Sequence, residues 1–212
     1  MPLVQMSTII DGDSTYSDIV GRDDIYVSDA GLGDLIDLIK LANGQFGHTC
    51  RSLQDLVKLN IEIIKLFVPK LIFPQFMSHS VIGVRSANSN RLVGFVDLSL
   101  QPSSGTMDAL IPLPLAKRKQ LYGSTLEPYL CNLLVVPELR KRGLGRKLVA
   151  ACEDRALSWG CQTINLHVER ESIPAFTLYL SSGFSPIQKQ GNVVFMKKKL
   201  RLPVDGTKNN TL

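Results

Sequence analysis

Arg140-Lys141-Arg142-Gly143-Leu144-Gly145 sets three cations beside two glycines, and Arg146 follows directly. Such a stretch is suited to holding an anion: glycine lets backbone N–H groups come close, and the cations raise the local potential. An apolar run, Leu130 to Val136, leads in through Pro137, and a helical pattern from Leu148 to Trp159 leads out. A strand that ends in a glycine turn and opens a helix aims N–H groups at one point, where the helix dipole adds partial positive charge. Phosphate is the natural guest, and a solvated basic face is the alternative reading of the same charges. Two better-known phosphate patterns are absent. No Gly is followed by four residues and then Gly-Lys-Ser/Thr, and the three-glycine dinucleotide fingerprint fails at Leu148.

Positioning that turn requires a framework. Tyr129 to Val136 reads as a strand, Gly143 to Trp159 as a helix and Thr163 to Val168 as a second strand. Ile173 to Ser181 reads as a second helix, with Pro174 tolerated in its first turn and Gly183 closing it. Trp159-Gly160 reads as core packing plus a helix cap. Gln188 to Gln190 and Val193 to Lys198 read as strands about Gly191-Asn192. Upstream, Asp24 to Ala30 reads as a short strand, and helical spacing from Leu32 to Ala42 is stopped by Gly44. Ser52 caps a second helix that continues toward Phe67 and is limited by Pro69. Ser80 to Arg85 and Leu92 to Leu100 form a hairpin across a polar turn at 86–90.

Strand–helix–strand–helix order predicts a right-handed crossover and a partly parallel sheet, with antiparallel strands before and after. The expected class is α+β, built on one mixed α/β sheet. Residues 1–20 read as a mobile lead and 21–202 as a single domain with a long loop at 102–127, while 203–212 read as a flexible tail.

With 212 residues, 44% of them hydrophobic, the chain can bury one sizeable core and is short for two. No apolar run approaches the ~20 residues that span a bilayer. The longest candidate, Ile61 to Phe76, is broken by Glu62, Lys65, Pro69, Lys70 and Pro74. The N-terminus lacks a basic-then-apolar signal and carries Asp11, Asp13, Asp18, Asp23 and Asp24. A soluble intracellular protein, cytoplasmic by default and without a membrane partner, is the expectation. Cys50, Cys131, Cys152 and Cys161 are scattered, with no Cys-x-x-Cys pair and no His at ligand spacing. Four buried, reduced thiols and no metal are expected.

The net charge of +5 is uneven: the first 40 residues hold eight Asp against Arg22 and Lys40, while the last third is strongly basic. One end suits an anionic ligand and the other a cationic one. Aromatic residues do not interleave with the basic ones as stacking platforms would, so no nucleic-acid partner is expected.

The segment Tyr129–Phe184 resembles the GNAT superfamily of acyl-CoA-dependent N-acetyltransferases. Val136-Pro137-Glu138-Leu139-Arg140 and the Arg-x-x-Gly-x-Gly turn match that superfamily's cofactor motif. Ser172-Ile173-Pro174-Ala175-Phe176-Thr177-Leu178-Tyr179, ending at Gly183-Phe184, resembles its second motif, usually Asn-x-x-Ala-x-x-Leu-Tyr-x-x-x-Gly-Phe. The resemblance implies a central mixed sheet with flanking helices and a splayed strand pair. It implies acetyl-CoA as donor, its pyrophosphate on Arg140, Lys141, Arg142, Gly143, Leu144, Gly145 and Arg146. The pantothenate arm would pair with strand backbone at Leu134, Val135 and Val136. Tyr179 aligns with a tyrosine that, in many relatives, contacts the cofactor and protonates the departing thiolate. A phenol of pKa about 10 suits a thiolate of about 8 to 9 as a general acid. Packing on the inner face of the helix is the alternative role. Ser172 stands where the family commonly has Asn against the cofactor arm, and a hydroxyl keeps one hydrogen bond there.

An attacking amine must lose a proton, which requires a base or a water chain. Alternation with core-facing Leu166 and Val168 turns His167 toward the cleft. Tyr129 and His167 fall where one group of protein N-terminal acetyltransferases places a Tyr–His pair that works through ordered water. A structural role for either is the alternative. Glu127 and Glu169 are competing bases, or solvated carboxylates. Lys117-Arg118-Lys119 reads as an acceptor-gating loop or a solvated one.

The function so implied is acetyl transfer to a primary amine by direct attack in a ternary complex. A protein N-terminus or lysine is favoured, because the segment is similar to plant, algal and cyanobacterial GNATs, some of which acetylate proteins in plastids. A plastid location would rest on that resemblance alone. The alternatives are a small-amine, polyamine or amino-acid acetyltransferase, and a non-enzymatic acyl-CoA-binding regulatory module. The oligomeric state is not legible.

Overall fold

The computed structural model describes residues 25–74, 79–102 and 126–201, with positions 116, 117 and 120 between them. The expected lead at 1–20, the tail at 203–212 and most of the 102–127 connection, Arg118 and Lys119 included, lie outside the described residues.

Among the described residues, seven strands and four helices follow one another. They are β1 (Ile25–Asp29), α1 (Leu35–Phe46), α2 (Leu53–Ile72), β2 (His79–Ser86), β3 (Leu92–Pro102), β4 (Leu126–Val135), α3 (Leu144–Ser158), β5 (Thr163–Glu169), α4 (Ile173–Ser181), β6 (Ser185–Gln190) and β7 (Val193–Lys199). The strands form one sheet in the order β1-β2-β3-β4-β5-β7-β6. Only β4 and β5 run parallel, and every other neighbouring pair is antiparallel. This is the mixed sheet of an α+β fold.

Strand alternation sorts the side chains into two layers. Register partners Gly83↔Phe95, Asp97↔Cys131, Ser99↔Tyr129 and His167↔Phe195 share one face. The α2 helix covers part of it. Phe67 meets Phe95 edge-on with ring centroids 5.4 Å apart, and Lys70 forms a buried ion pair with Asp97. On the opposite face α3 buries Leu148, Val149, Cys152 and Ala156. Arg155 of α3 donates to Ser80 at 2.9 Å and to Asp29 at 2.8 Å, tying that helix to the sheet's far edge.

Several boundaries differ from the sequence pattern. Gly44 lies inside α1, which runs on to Phe46. An isolated glycine costs about 1 kcal/mol in a helix, and the buried Leu38, Leu41 and Ala42 outweigh it. Pro69 lies inside α2. It removes one helical hydrogen bond, yet Lys70 and Leu71 are buried and hold the last turn on the sheet. The β4 strand starts at Leu126, because residues 126–128 pair with the end of β3, so both ends of the expected loop belong to strands. All four cysteines are free, but only Cys152 is buried. Cys50 and Cys161 follow helix ends, and Cys131 lies where β4 loses its neighbour. No helix among the described residues is long and apolar enough to cross a membrane.

Candidate active site

The central irregularity of the sheet is a fork. The parallel strands β4 and β5 pair only at Tyr129↔Asn165 and Leu130↔Leu166, although β4 continues to Val135 and β5 to Glu169. On the other side β4 stays paired with β3 through a bulge: two steps on β3, Phe95 to Asp97, face three on β4, Leu134 to Cys131. Asn132 absorbs the extra residue at φ +53. The edge of β4 that faces β5 therefore leaves backbone groups of Leu133 and the Val135 N–H without a strand partner, while the Val135 carbonyl is taken by Arg140, and such unpaired groups call for a partner.

The glycine turn closes the wide end of the fork. Lys141 has φ +60 and Gly143 has φ +84, and Gly143 is the N-cap of α3. The first helical bond runs from Lys147 N–H to the Gly143 carbonyl at 3.0 Å, so the N–H groups of Leu144, Gly145 and Arg146 point out of the helix start. Lys141, Arg142 and Arg146 are exposed around them. A Cβ built on Gly143 meets nothing within 4 Å. The left-handed backbone demands glycine here, while no neighbouring protein atom does. Gly145 is the crowded one, since a Cβ there would sit 3.0 Å from Leu178 Cδ2 of α4.

Arg140 is turned differently from the other cations. Its Nε donates to the Val135 carbonyl at 3.0 Å, and a terminal nitrogen donates to Gln45 Oε1 of α1 at 3.3 Å. It ties the end of β4 to α1. Ser172 is the half-buried N-cap of α4 and makes no capping hydrogen bond, so its hydroxyl is not committed to the helix.

At the narrow end of the fork stand Tyr129 and His167, with the phenol oxygen 2.9 Å from Nδ1. His167 also stacks on Phe195 of β7 at 4.9 Å between centroids. Burial pushes the imidazole below its ordinary value, so it is neutral near pH 7 and able to take a proton. Burial pushes the Tyr129 phenol upward. Tyr179 approaches from the α4 side, buried against Phe184. Burial raises its phenol, with smaller contributions from Cys152, Cys131 and Tyr129, so it keeps its proton. The structure thus gathers Tyr129, His167 and Tyr179 about the fork; of the strand residues expected to pair with the arm, Val136 gives its N–H to Val93 of β3 and Leu134 pairs with Phe95.

Glu127 is not free to act as a base. Lys197 donates to it at 2.8 Å, Asn165 at 2.7 Å and Thr163 at 3.0 Å. Burial raises its carboxyl, but these donors prevail and hold it below the usual range. Glu169 is exposed at the end of β5. Asn132, Phe195 and Gln45 escaped the sequence reading. Asn is the residue most tolerant of φ > 0 after glycine, which is a faint signal; the contacts of Phe195 and Gln45 join distant segments and leave none.

Residues 65–184, more than half of the chain, match the family model described as the acetyltransferase (GNAT) family. Over 60 residues the chain is 33% identical to GCN5-related N-acetyltransferase 4, chloroplastic, of Arabidopsis thaliana. That match covers 28% of this chain and 21% of the relative, so the chain spans about a fifth of the curated protein it matches. Among solved structures it is similar to the PaiA N-acetyltransferase of Thermoplasma acidophilum in complex with coenzyme A, with TM-score 0.62, 17% identity, and coverage of 82% of this chain and 98% of that one. It is also similar to the NatC complex bound to Gag peptide and CoA, with TM-score 0.54, 16% identity, and coverage of 84% and 99%. At those identities the structural likeness speaks to the fold.

Proposed function

Because this chain belongs to the GNAT family of acetyltransferases, we propose that it transfers acetyl from acetyl-CoA to a primary amine, by direct attack in a ternary complex. The observation that carries the reading is the fork: β4 and β5 separate beyond Leu130 and Leu166, and the Tyr129–His167 pair stands at the point of separation. The residues present fit the donor. The free β4 edge suits an amide-bearing arm, and the α3 N-terminus with Lys141, Arg142 and Arg146 suits a pyrophosphate. Arg140 serves by bracing the strand end, and Ser172 keeps a hydroxyl for the arm.

In this reaction the amine nitrogen bonds to the thioester carbon and the carbon–sulfur bond breaks. The ammonium proton leaves through the Tyr129 hydroxyl, which passes its own to Nδ1 of neutral His167. Tyr179, held protonated, gives a proton to the departing sulfur. The favoured acceptor is a protein N-terminus or a lysine side chain. Support comes from the Tyr129–His167 geometry and from the peptide bound in the NatC structure.

The test measures CoA release from acetyl-CoA with peptides bearing free N-termini, peptides bearing internal lysine, and spermidine. Turnover with a peptide class, and a peptide mass gain of one acetyl group, is the expected result. Turnover with spermidine alone would overturn the protein acceptor. Tight acetyl-CoA binding without CoA release to any amine would overturn the enzymatic reading in favour of a binding module.

A further inference from the structure

Asn165 of β5 is a buried amide with only one of its two ends satisfied. The residue is 2% exposed. Its Nδ2 donates to Glu127 Oε2 at 2.7 Å, whereas its Oδ1 is buried without a hydrogen-bond partner among the described residues. The amide cannot be turned over. Lys197, Asn165 and Thr163 hold Glu127 ionised, and an ionised carboxylate only accepts. The nitrogen therefore faces Glu127 and the oxygen faces away from it. Register tells where that is. Tyr129 is the β4 partner of Asn165, and His167 follows Asn165 by two on β5, so the three side chains project as neighbours from one face. Glu127 and Thr163 lie one step further from the fork, each two residues before Tyr129 and Asn165. With Nδ2 drawn to that side, Oδ1 is left on the side of Tyr129 and His167.

A buried acceptor calls for a donor, and proton uptake by the neighbouring pair creates one. At rest the Tyr129 O–H is spent on Nδ1 of neutral His167. Once the phenol has passed that proton to Nδ1 and taken the amine's, Nδ1–H donates back to the phenol oxygen. The new phenol O–H has then lost its former acceptor. On the reading of Tyr129 and His167 as the base, we propose that Asn165 is its positioning residue: Oδ1 accepts from the Tyr129 hydroxyl, directly or through one water, when the pair carries the extra proton. The bond forms only in the protonated pair, so it stabilises that form and makes the pair a stronger base. Acid titration of the unliganded protein produces the same protonated pair. The other titratable groups about the imidazole are Cys131 of β4, the Glu127–Lys197 ion pair of β4 and β7, and exposed Glu169 of β5. Changes at Asn165 leave all of them in place.

NMR titration of the His167 ring in the unliganded full chain tests this without recourse to turnover, the resonance being assigned by its loss in His167→Gln. Asn165→Leu keeps the volume and removes the acceptor. Its His167 midpoint should fall by roughly 0.5 to 1 in pH, the effect of one hydrogen bond of ordinary net strength, and the acid limb of kcat/KM should move with it. Asn165→Asp keeps an acceptor oxygen and adds negative charge, so its midpoint should rise. A residue that merely packs would change the thermal melt and leave both midpoints in place. A midpoint unmoved in Asn165→Leu, or one that falls in Asn165→Asp, would overturn the proposal. Should Asn165→Leu fail to fold, the direction of the shift in Asn165→Asp decides alone. Midpoints that shift as expected in a protein that acetylates no amine would uphold the contact and overturn the acetyl-transfer reading instead.

Discussion

The Tyr129 hydroxyl stands 2.9 Å from Nδ1 of His167 across the last paired residues of two strands that then diverge. The contact joins the parallel strands β4 and β5 at the narrow end of their fork. A proton arriving at the phenol has a neutral imidazole behind it, so the pair can act as one base.

That pairing sets a pH dependence. Burial lowers His167 below its ordinary 6.5, so the base form predominates at neutral pH and is lost as pH falls through the lowered value. kcat/KM should be flat near pH 7 and decline on an acid limb with its midpoint below 6.5. His167→Gln should remove that limb and cost roughly 10²-fold or more in kcat. An acid limb unchanged in the variant would assign it to another group.

Tyr179 is buried beside Phe184, and removal of its hydroxyl leaves the ring packing in place. Tyr179→Phe should lower kcat by about 10²-fold while acetyl-CoA affinity, measured by calorimetry, changes little. Affinity lost in step with turnover would make its role packing.

Gly143 separates conformation from space. With φ at +84 and open surroundings, Gly143→Val meets a strain of roughly 1–2 kcal/mol or more, while Asn tolerates the left-handed region. Gly143→Val should therefore weaken acetyl-CoA binding well beyond Gly143→Asn. Equal losses from both would argue that the side chain itself blocks the ligand.

Glu127 and Lys197 serve stability. Glu127→Gln should cost about 1–2 kcal/mol in denaturant unfolding and leave the acid limb of activity where it is. Because the folded-state carboxyl lies below its unfolded value, the pair's contribution is whole above the unfolded value and fades as pH falls through the folded one. Unfolding of the Gln variant should accordingly depend less on pH in the acid range. A shifted activity profile would restore Glu127 as a candidate base.

Lys70 and Asp97 are both nearly inaccessible. Burial pushes the Asp97 carboxyl up, but Lys70 and His79 beside it hold it well below the usual range. Lys70→Ala strands a buried carboxylate and should cost about 3–5 kcal/mol, whereas replacing both by apolar residues of similar volume should cost much less. A double change as costly as the single one would show the pair to be net stabilising.

Local patterns carried much of this molecule. The glycine turn, the Ser52 cap, the hairpin and the strand–helix–strand–helix order are read within a few residues of one another, where turn chemistry and periodicity are decisive. The same information misplaced the ends of α1 and α2. Gly44 and Pro69 are unfavourable only by a few kcal/mol, and burial contributed by distant strands exceeds that. Nothing in the neighbourhood of Pro128 signals that β4 begins at Leu126, because its pairing partners lie on β3.

The sequence by itself determined the order of elements, the position of the glycine turn and the residue types available for proton transfer. Only the tertiary structure decided that β4 and β5 separate after two paired residues, that Tyr129 reaches His167, that Arg140 braces Val135, and that Glu127 is neutralised by Lys197. Each of these joins residues far apart in the chain. The meeting depends on sheet register and the β4 bulge, which summed packing sets and no short stretch encodes.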